Sequence, residues 1–257
     1  MADQHEDLIL IRREPPLGWV TVNRPAARNA LTAAMWRALA DGVQTLAADH
    51  DIRVILLTGA GDKAFIAGQD IAEMQAQSEQ PALSEASIRA SLAGLRAITA
   101  APQTVIAVIN GACFGGGVLL AATCDLRFGA ASARFAIPAV KLGVAYPYDE
   151  GVLPLIQLIG KAHAADLLLS GRTITSDEAR QMGLVNRVIA DELLLSEATA
   201  YALQLAQGAP LSLAAHKRAL QMDETARAAI SRCYVSDDQR EGLRAFLEKR
   251  APNFQGK

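Results

Sequence analysis

Two short apolar runs, Arg53 to Thr58 (RVILLT) and Thr104 to Ile109 (TVIAVI), each lead through a glycine-rich stretch into a new apolar helical pattern. Both are too short and too apolar for exposed helices, and their lack of alternation predicts strands buried on both faces. The stretches that follow, GAGDKAFIAGQDIAEM and NGACFGGGVLLAATC, repeat the arrangement loosely as strand, glycine loop and helix. The expected fold class is therefore α/β.

The rest of the pattern is consistent with one main core. Leu8 to Arg12 and Trp19 to Val22 read as a β-hairpin, with Pro15, Pro16 and Gly18 punctuating the turn. Leu31, Met35, Leu39, Val43 and Leu46 recur at threes and fours, which predicts a helix from Asn29 to about Ala48. Two further short β runs, Asp125 to Phe128 and Arg134 to Ile137, precede a remainder that reads mostly as helix from about Lys161, broken at Gly171, Gly183 and Pro210. The last helix is marked by a Ser236/Gln239 capping box, acidic residues in the first turn, Lys249 and Arg250 in the last, and Pro252 beyond. The expected division is a core over 1–195 and a C-terminal helical region over 196–257.

Composition narrows the partners. With 51% apolar and 20% charged residues the chain is expected to pack rather than stay disordered. Twenty-five Lys and Arg against 27 Asp and Glu leave a net charge of −2, so nothing drives binding to nucleic acid. No run approaches the roughly 18 uninterrupted apolar residues of a membrane span, and the start, MADQHEDLIL, is acidic where a secretory signal is basic. A soluble cytoplasmic protein is expected, with no membrane partner. Cys113, Cys124 and Cys233 lack metal-ligand or redox spacing and read as buried thiols. His50, His163 and His216 fall in helical patterns without partner spacing, so no metal site is expected.

A glycine loop that turns straight into a helix leaves the first N–H groups of that helix unpaired and aimed at one spot, where the helix dipole favours negative charge. Ala67 to Asp70 and Gly115 to Gly117 are two such loops, each able to offer an N–H to an oxygen that gains charge during reaction. On spacing alone the glycines serve equally well as tight-turn residues. Neither loop has the lysine and hydroxyl of a phosphate loop, and no GxGxxG with a following ribose-binding acid is present.

Taken together, NRPAARNAL (23–31), KAFIAGQDI (63–71), INGACFGGG (109–117) and TCDLRF (123–128) resemble the ordered signatures of the enoyl-CoA hydratase/isomerase (crotonase) superfamily. The resemblance continues through FAIPAVKLG (135–143), MGLVNRV (182–188) and SDDQREGLRAFLEKRAPNFQG (236–256), covering nearly the whole chain. It implies a crotonase-like (ClpP/crotonase) spiral of ββα turns and a C-terminal helical region used for trimerisation, often as a hexameric dimer of trimers. It also implies a lyase or isomerase of fatty acid metabolism whose CoA enters as part of an acyl-CoA substrate, with no separate cofactor. By the same resemblance the oxyanion donors are the N–H groups of Gln69 and Gly116. Ala26, Ala27 and Arg28, with Ala67, Gly68, Asp70, Ile71 and Ala72, match contacts to the CoA adenine and pantetheine. Lys249 matches a basic residue that reaches the CoA phosphates. From the residues alone Arg28 and Lys249 are solvated charges, Asp70 is a helix cap and Asp125 is structural.

The chain departs from the resemblance where hydratases keep two glutamates, one to activate water and one to deliver a proton. Leu119 stands two after the triple glycine and Ala139 stands after Pro138. Replacements are sought in LGVAYPYDEGVLPL (142–155), which carries Tyr146, Tyr148, Asp149 and Glu150. Asp149 or Tyr148 resembles the place of a catalytic aspartate in some isomerases of the superfamily. Tyr146 resembles a tyrosine of methylmalonyl-CoA decarboxylases, which carry histidine where this chain has Gln69. The alternative is that the tyrosines pack and the acids form a solvated turn. Three functions stay open: a hydratase/isomerase-type enzyme with relocated acid/base groups, a CoA-ester decarboxylase that needs no base, and a non-catalytic acyl-CoA binder. The acyl pocket is expected in variable loops such as Met74 to Ser91.

Overall fold

The computed structural model describes residues 8–257, so the acidic start at residues 1–7 lies outside the described residues. Strands β1 (Ile9–Glu14) and β2 (Leu17–Val22) form the expected hairpin, in register from Ile9 opposite Val22 to Glu14 opposite Leu17. The turn is Pro15 and Pro16 alone. Gly18 lies inside β2, where a Cβ would stand 2.9 Å from the Leu46 methyls, so its role is close packing against the first helix. That helix, α1 (Ala33–Ala48), starts later than its apolar spacing predicts. Asn29 has a left-handed φ of 58° and Leu31 is held in an isolated bridge to Gln69, leaving Thr32 to cap the helix at Met35 N–H (3.2 Å).

From β2 the sheet grows in parallel through β3 (Val54–Gly59), β5 (Thr104–Ile109), β7 (Leu126–Ala130) and β10 (Arg187–Ile189), in the order β1-β2-β3-β5-β7-β10. A smaller sheet runs β4 (Ala64–Ile66), β6 (Ala112–Phe114), β8 (Arg134–Ala136) and β9 (Thr173–Thr175). The chain therefore alternates a long strand in one sheet, a short one in the other, and a helix. This is the expected spiral of ββα turns: β3, β4 and α2 (Ile71–Gln77), then β5, β6 and α4 (Gly116–Thr123), then β7, β8 and α5 (Leu153–Ser170). The long strands β3 and β5 are buried over most of their length, as their unbroken apolar runs predict.

Several sequence expectations are corrected. Met74 to Ser91 is mostly helix, the end of α2 and the first half of α3 (Pro81–Ala100). Helix α5 begins eight residues before Lys161. Two short strands, β9 and β10, interrupt the C-terminal half beside α6 (Ser176–Gln181). Helix α7 (Leu194–Leu205), which spans the boundary expected between 195 and 196, has contacts with β3, β5 and β7, and its Ala198 and Ala202 belong to the core. Among the described residues, Tyr148–Ser170 is a helical run long and apolar enough by length and composition to cross a membrane. Gly160 breaks it at φ 74°, ψ 160°, and Leu155, Ile159, Ala164 and Leu167 enter the protein interior.

Beyond α7 come α8 (Pro210–Leu220), α9 (Ala226–Cys233) and α10 (Asp237–Glu248). Ser236 caps α10, accepting from Gln239 N–H (3.0 Å), which is one half of the expected capping box, and the helix ends at Glu248, so Lys249 is its C-cap rather than part of its last turn. The amphipathic α10 buries Asp238 and Ala245 but leaves Leu243, Phe246 and Leu247 exposed, and Leu220, Tyr234 and Val235 are exposed nearby in sequence.

Candidate active site

The two glycine loops meet. A Cβ on Gly68 would lie 3.2 Å from the Phe114 carbonyl oxygen and 3.9 Å from Gly115 Cα, and one on Gly115 would lie 3.8 Å from Gly68 Cα. Both residues also have positive φ, 109° and 53°, which favours glycine on steric grounds. The loops are thus more than tight turns: each permits the approach of the other.

What grips the carbonyl of a trans peptide aims its N–H the opposite way. The Gly68 carbonyl accepts from Leu31 N–H (2.8 Å), which turns the Gln69 N–H away from Leu31. The Gly115 carbonyl accepts from Val118 and Leu119 N–H (3.0 and 3.4 Å) inside α4, so the Gly116 N–H points out of the helix N-terminus. Neither N–H has a protein acceptor among the described residues.

The segment 23–31 is the clamp on the first loop. Buried Asn29 takes Arg24 N–H (3.0 Å) and donates to the carbonyls of Ala60 (3.0 Å) and Ala64 (2.7 Å). Ala67 N–H donates to the Arg28 carbonyl (3.1 Å) and Asp70 N–H to that of Leu31 (2.9 Å). Asp70 caps α2 at Glu73 N–H (2.8 Å) and pairs with the Arg24 guanidinium (2.5 Å). These contacts, the Glu73 N–H first and Arg24 next, hold its carboxyl below the usual range. Asp70 is thus a cap, as its position before a helix predicts. Ala26 and Ala27 sit in the short turn Pro25–Ala27 beside exposed Arg28, while Ile71 and Ala72 face outward at the start of α2. Ala26 to Arg28 and Ala67 to Ala72 are therefore brought together. Lys249 stands apart, exposed at the left-handed C-cap of α10.

Of the four polar side chains in the 146–150 stretch, only Tyr146 is directed at the glycine loops. A Cβ on Gly115 would be 2.8 Å from its hydroxyl oxygen. Burial pushes this phenol up to about 12, so it stays neutral at physiological pH. Tyr148 is 61% exposed and Asp149 is also exposed, in the π-helical turn Tyr148–Val152. Glu150 is bound by the Arg96 guanidinium on α3, with Nε at 2.8 Å. Leu119 and Ala139 are buried, and a Cβ on Gly151 would touch both Leu119 Cδ1 (3.3 Å) and Tyr146 Cβ (3.6 Å). Leu119 and Tyr146 thus both border Gly151, and an apolar side chain stands where the resemblance would put a carboxylate.

Some residues that shape the site were missed on sequence. Trp36 Nε1 donates to Gln69 Oε1 (2.9 Å), and Gln69 Nε2 donates to Ser87 Oγ (2.9 Å) and Glu73 Oε2 (3.2 Å). Trp36 fits the ordinary apolar pattern of a helix and carries no local sign of this contact. Among the described residues no group of three or more His, Cys, Asp or Glu is arranged to hold a metal ion. Cys113 and Cys124 are buried, with burial holding both thiols protonated, whereas Cys233, also expected to be buried, is partly exposed. Asp125 is structural, accepting from Val105 N–H (2.7 Å) and pairing with Lys217 (2.9 Å).

The sequence profile described as Enoyl-CoA hydratase/isomerase matches residues 13–257. The chain is 37% identical to a protein of Syntrophomonas wolfei named crotonyl-CoA hydratase, over 96% of this chain and 97% of that one. It is 36% identical to the 2,3-dehydroadipyl-CoA hydratase of Escherichia coli, over 97% and 99% of the two. A crystal structure described as an enoyl-CoA hydratase/carnithine racemase from Magnetospirillum magneticum superposes with a TM-score of 0.92 at 38% identity, covering 98% of this chain and 96% of that one. With the ββα spiral and the meeting of its two glycine loops, these matches place the chain in the enoyl-CoA hydratase/isomerase family, whose members act on acyl-CoA thioesters.

Proposed function

We propose that the chain holds an acyl-CoA thioester oxygen between the N–H groups of Gln69 and Gly116 and turns the substrate over through its enolate, with Tyr146 as proton donor. The observation that carries this reading is the Tyr146 hydroxyl lying against Gly115, next to one of the two donors. A neutral phenol can give a proton to Cα but is a poor base, and Leu119 and Ala139 supply none. Among reactions through an enolate, decarboxylation of a 2-carboxyacyl-CoA suits this site. The Cα–carboxylate bond breaks, CO₂ departs, its bonding pair becomes the enolate on Cα and the thioester oxygen, and Tyr146 protonates Cα before regaining a proton from water.

Hydration or isomerisation of an enoyl-CoA is the second reading, supported by the hydratases among the relatives. It requires Asp149 to turn in from solvent as the base. In either case the CoA adenine would lie on the Ala26–Arg28 turn and the pantetheine along Ala67–Ala72, with Arg28 available to a phosphate. The open apolar face of α10 supports self-association, as a trimer or dimer of trimers, which is how Lys249 would approach a bound CoA. Mass-spectrometric product analysis with methylmalonyl-CoA, crotonyl-CoA and a 3-enoyl-CoA separates the readings. CO₂ loss abolished in Tyr146→Phe supports decarboxylation. Hydration or isomerisation abolished in Asp149→Asn supports the second reading, and tight binding with no turnover would leave an acyl-CoA binder.

A further inference from the structure

The Gln69 side chain is held more firmly than a loop residue needs. Its amide has one acceptor and two donor hydrogens, and all are used: Trp36 Nε1–H donates to Oε1 (2.9 Å), and Nε2 donates to Ser87 Oγ (2.9 Å) and Glu73 Oε2 (3.2 Å). The orientation is fixed, because a flipped amide would set its NH₂ against the indole N–H. Glu73 is tied in turn to the start of α1, accepting from Ala33 N–H (2.8 Å). The Trp36 ring also reaches the second loop, since a Cβ on Gly116 would lie 3.5 Å from its Cζ2. The ring has its place because Gly94 on α3 lacks a side chain; a Cβ there would be 2.6 Å from Cε3. One indole thus bonds to the Gln69 side chain and leaves no more than van der Waals room for a Cβ at Gly116, the two residues whose N–H groups lack protein acceptors.

We infer that Trp36, through the Gln69 side chain and with Ser87 and Glu73, is a positioning residue that fixes the Gln69 N–H relative to the Gly116 N–H. The inference rests on the oxyanion reading proposed above and deepens it. Leu31 sets the plane of the Gly68–Gln69 peptide from one side, and the Trp36 network anchors the residue from the other. Two donors serve one oxygen only when their mutual geometry is held, so the network acts on carbonyl polarisation more than on CoA affinity.

The test reads the bound carbonyl, which needs no turnover. Isotope-edited infrared spectra of [1-¹³C]butyryl-CoA are recorded on the full chain and on Trp36→Phe, Gln69→Leu and the double variant, none of which removes a backbone N–H. The parent is expected to lower the thioester C=O stretch relative to free ligand. Each single variant should return the band at least halfway to the free position while Kd stays within about threefold, and the double variant should match the singles, because all remove the same link. Ser87→Ala, which deletes one bond to the amide, carries the same expectation of a partial return should the larger changes disturb folding. Variants that keep the parent band overturn the inference. A parent band at the free position, equally unaffected by Gly116→Pro, would refute the oxyanion reading itself and the inference with it.

Discussion

The Lys217–Asp125 pair gives a sharp test of how the C-terminal helices are fastened to the core. Lys217 projects from α8 into the interior at 5% exposure, and its ammonium meets the carbonyls of Ile98 (3.1 Å) and Gln103 (3.0 Å) and the carboxylate of Asp125 (2.9 Å). Three donors thus have three acceptors, and Asp125 also takes the Val105 N–H (2.7 Å). Asp125→Ala leaves a buried cation facing only neutral carbonyls and strands that N–H. Removing one partner of a buried pair costs about 3–5 kcal/mol. The Asp125 side chain is 19% exposed and water can enter in its place, so the low end, about 3 kcal/mol, applies. For a chain of this size that is a fall in Tm of roughly 6–12 °C. The assay is thermal and urea unfolding followed by circular dichroism. Adding Lys217→Met to Asp125→Ala should recover part of the loss, because the unpaired charge is then gone. Asp125→Ala melting within about 2 °C of the parent, or a double variant no more stable than Asp125→Ala alone, would refute the reasoning.

Three further outcomes follow from the same contacts. The Tyr146 phenol, raised by burial to about 12, should appear as a late component of the alkaline absorbance titration that Tyr146→Phe removes. Because its folded value exceeds the ordinary one of about 10, its contribution to stability is complete below pH 10 and is lost as pH rises through 12. Glu241 is held down to about 2 by the Arg250 guanidinium and then the Asn253 N–H (2.9 Å), so its side-chain carboxyl ¹³C shift should titrate below the ordinary glutamate range and return towards it in Arg250→Gln. The self-association proposed for the α10 face predicts that replacing exposed Phe246 and Leu247 by glutamate lowers the mass read by multi-angle light scattering, and an unchanged mass would refute a subunit contact through α10.

What could be read in advance was whatever a residue's own backbone or immediate neighbours decide. The apolar runs of β3 and β5, the helix-breaking Gly171 (φ 57°) and Gly183 (φ 84°) and the Asp70 cap each carry their reason within a few residues, and each stands where the sequence placed it. Strands β9 and β10 escaped because three residues hold no period to recognise. The side chains that distinguish this site depend instead on partners far along the chain. Glu150 reads as a free acid until Arg96, 54 residues earlier, is seen to bind it, and Trp36 reads as an ordinary core residue until its N–H meets Gln69, 33 residues on. A buried indole N–H needs some acceptor, so the sequence does pose the question of where Trp36 bonds. Trp19, whose Nε1 is buried without a partner among the described residues, poses the same question and receives no such answer. Local rules therefore identify which polar groups must be satisfied, but the tertiary approach of α1 to the 67–70 loop decides that one of these two tryptophans holds the Gln69 side chain.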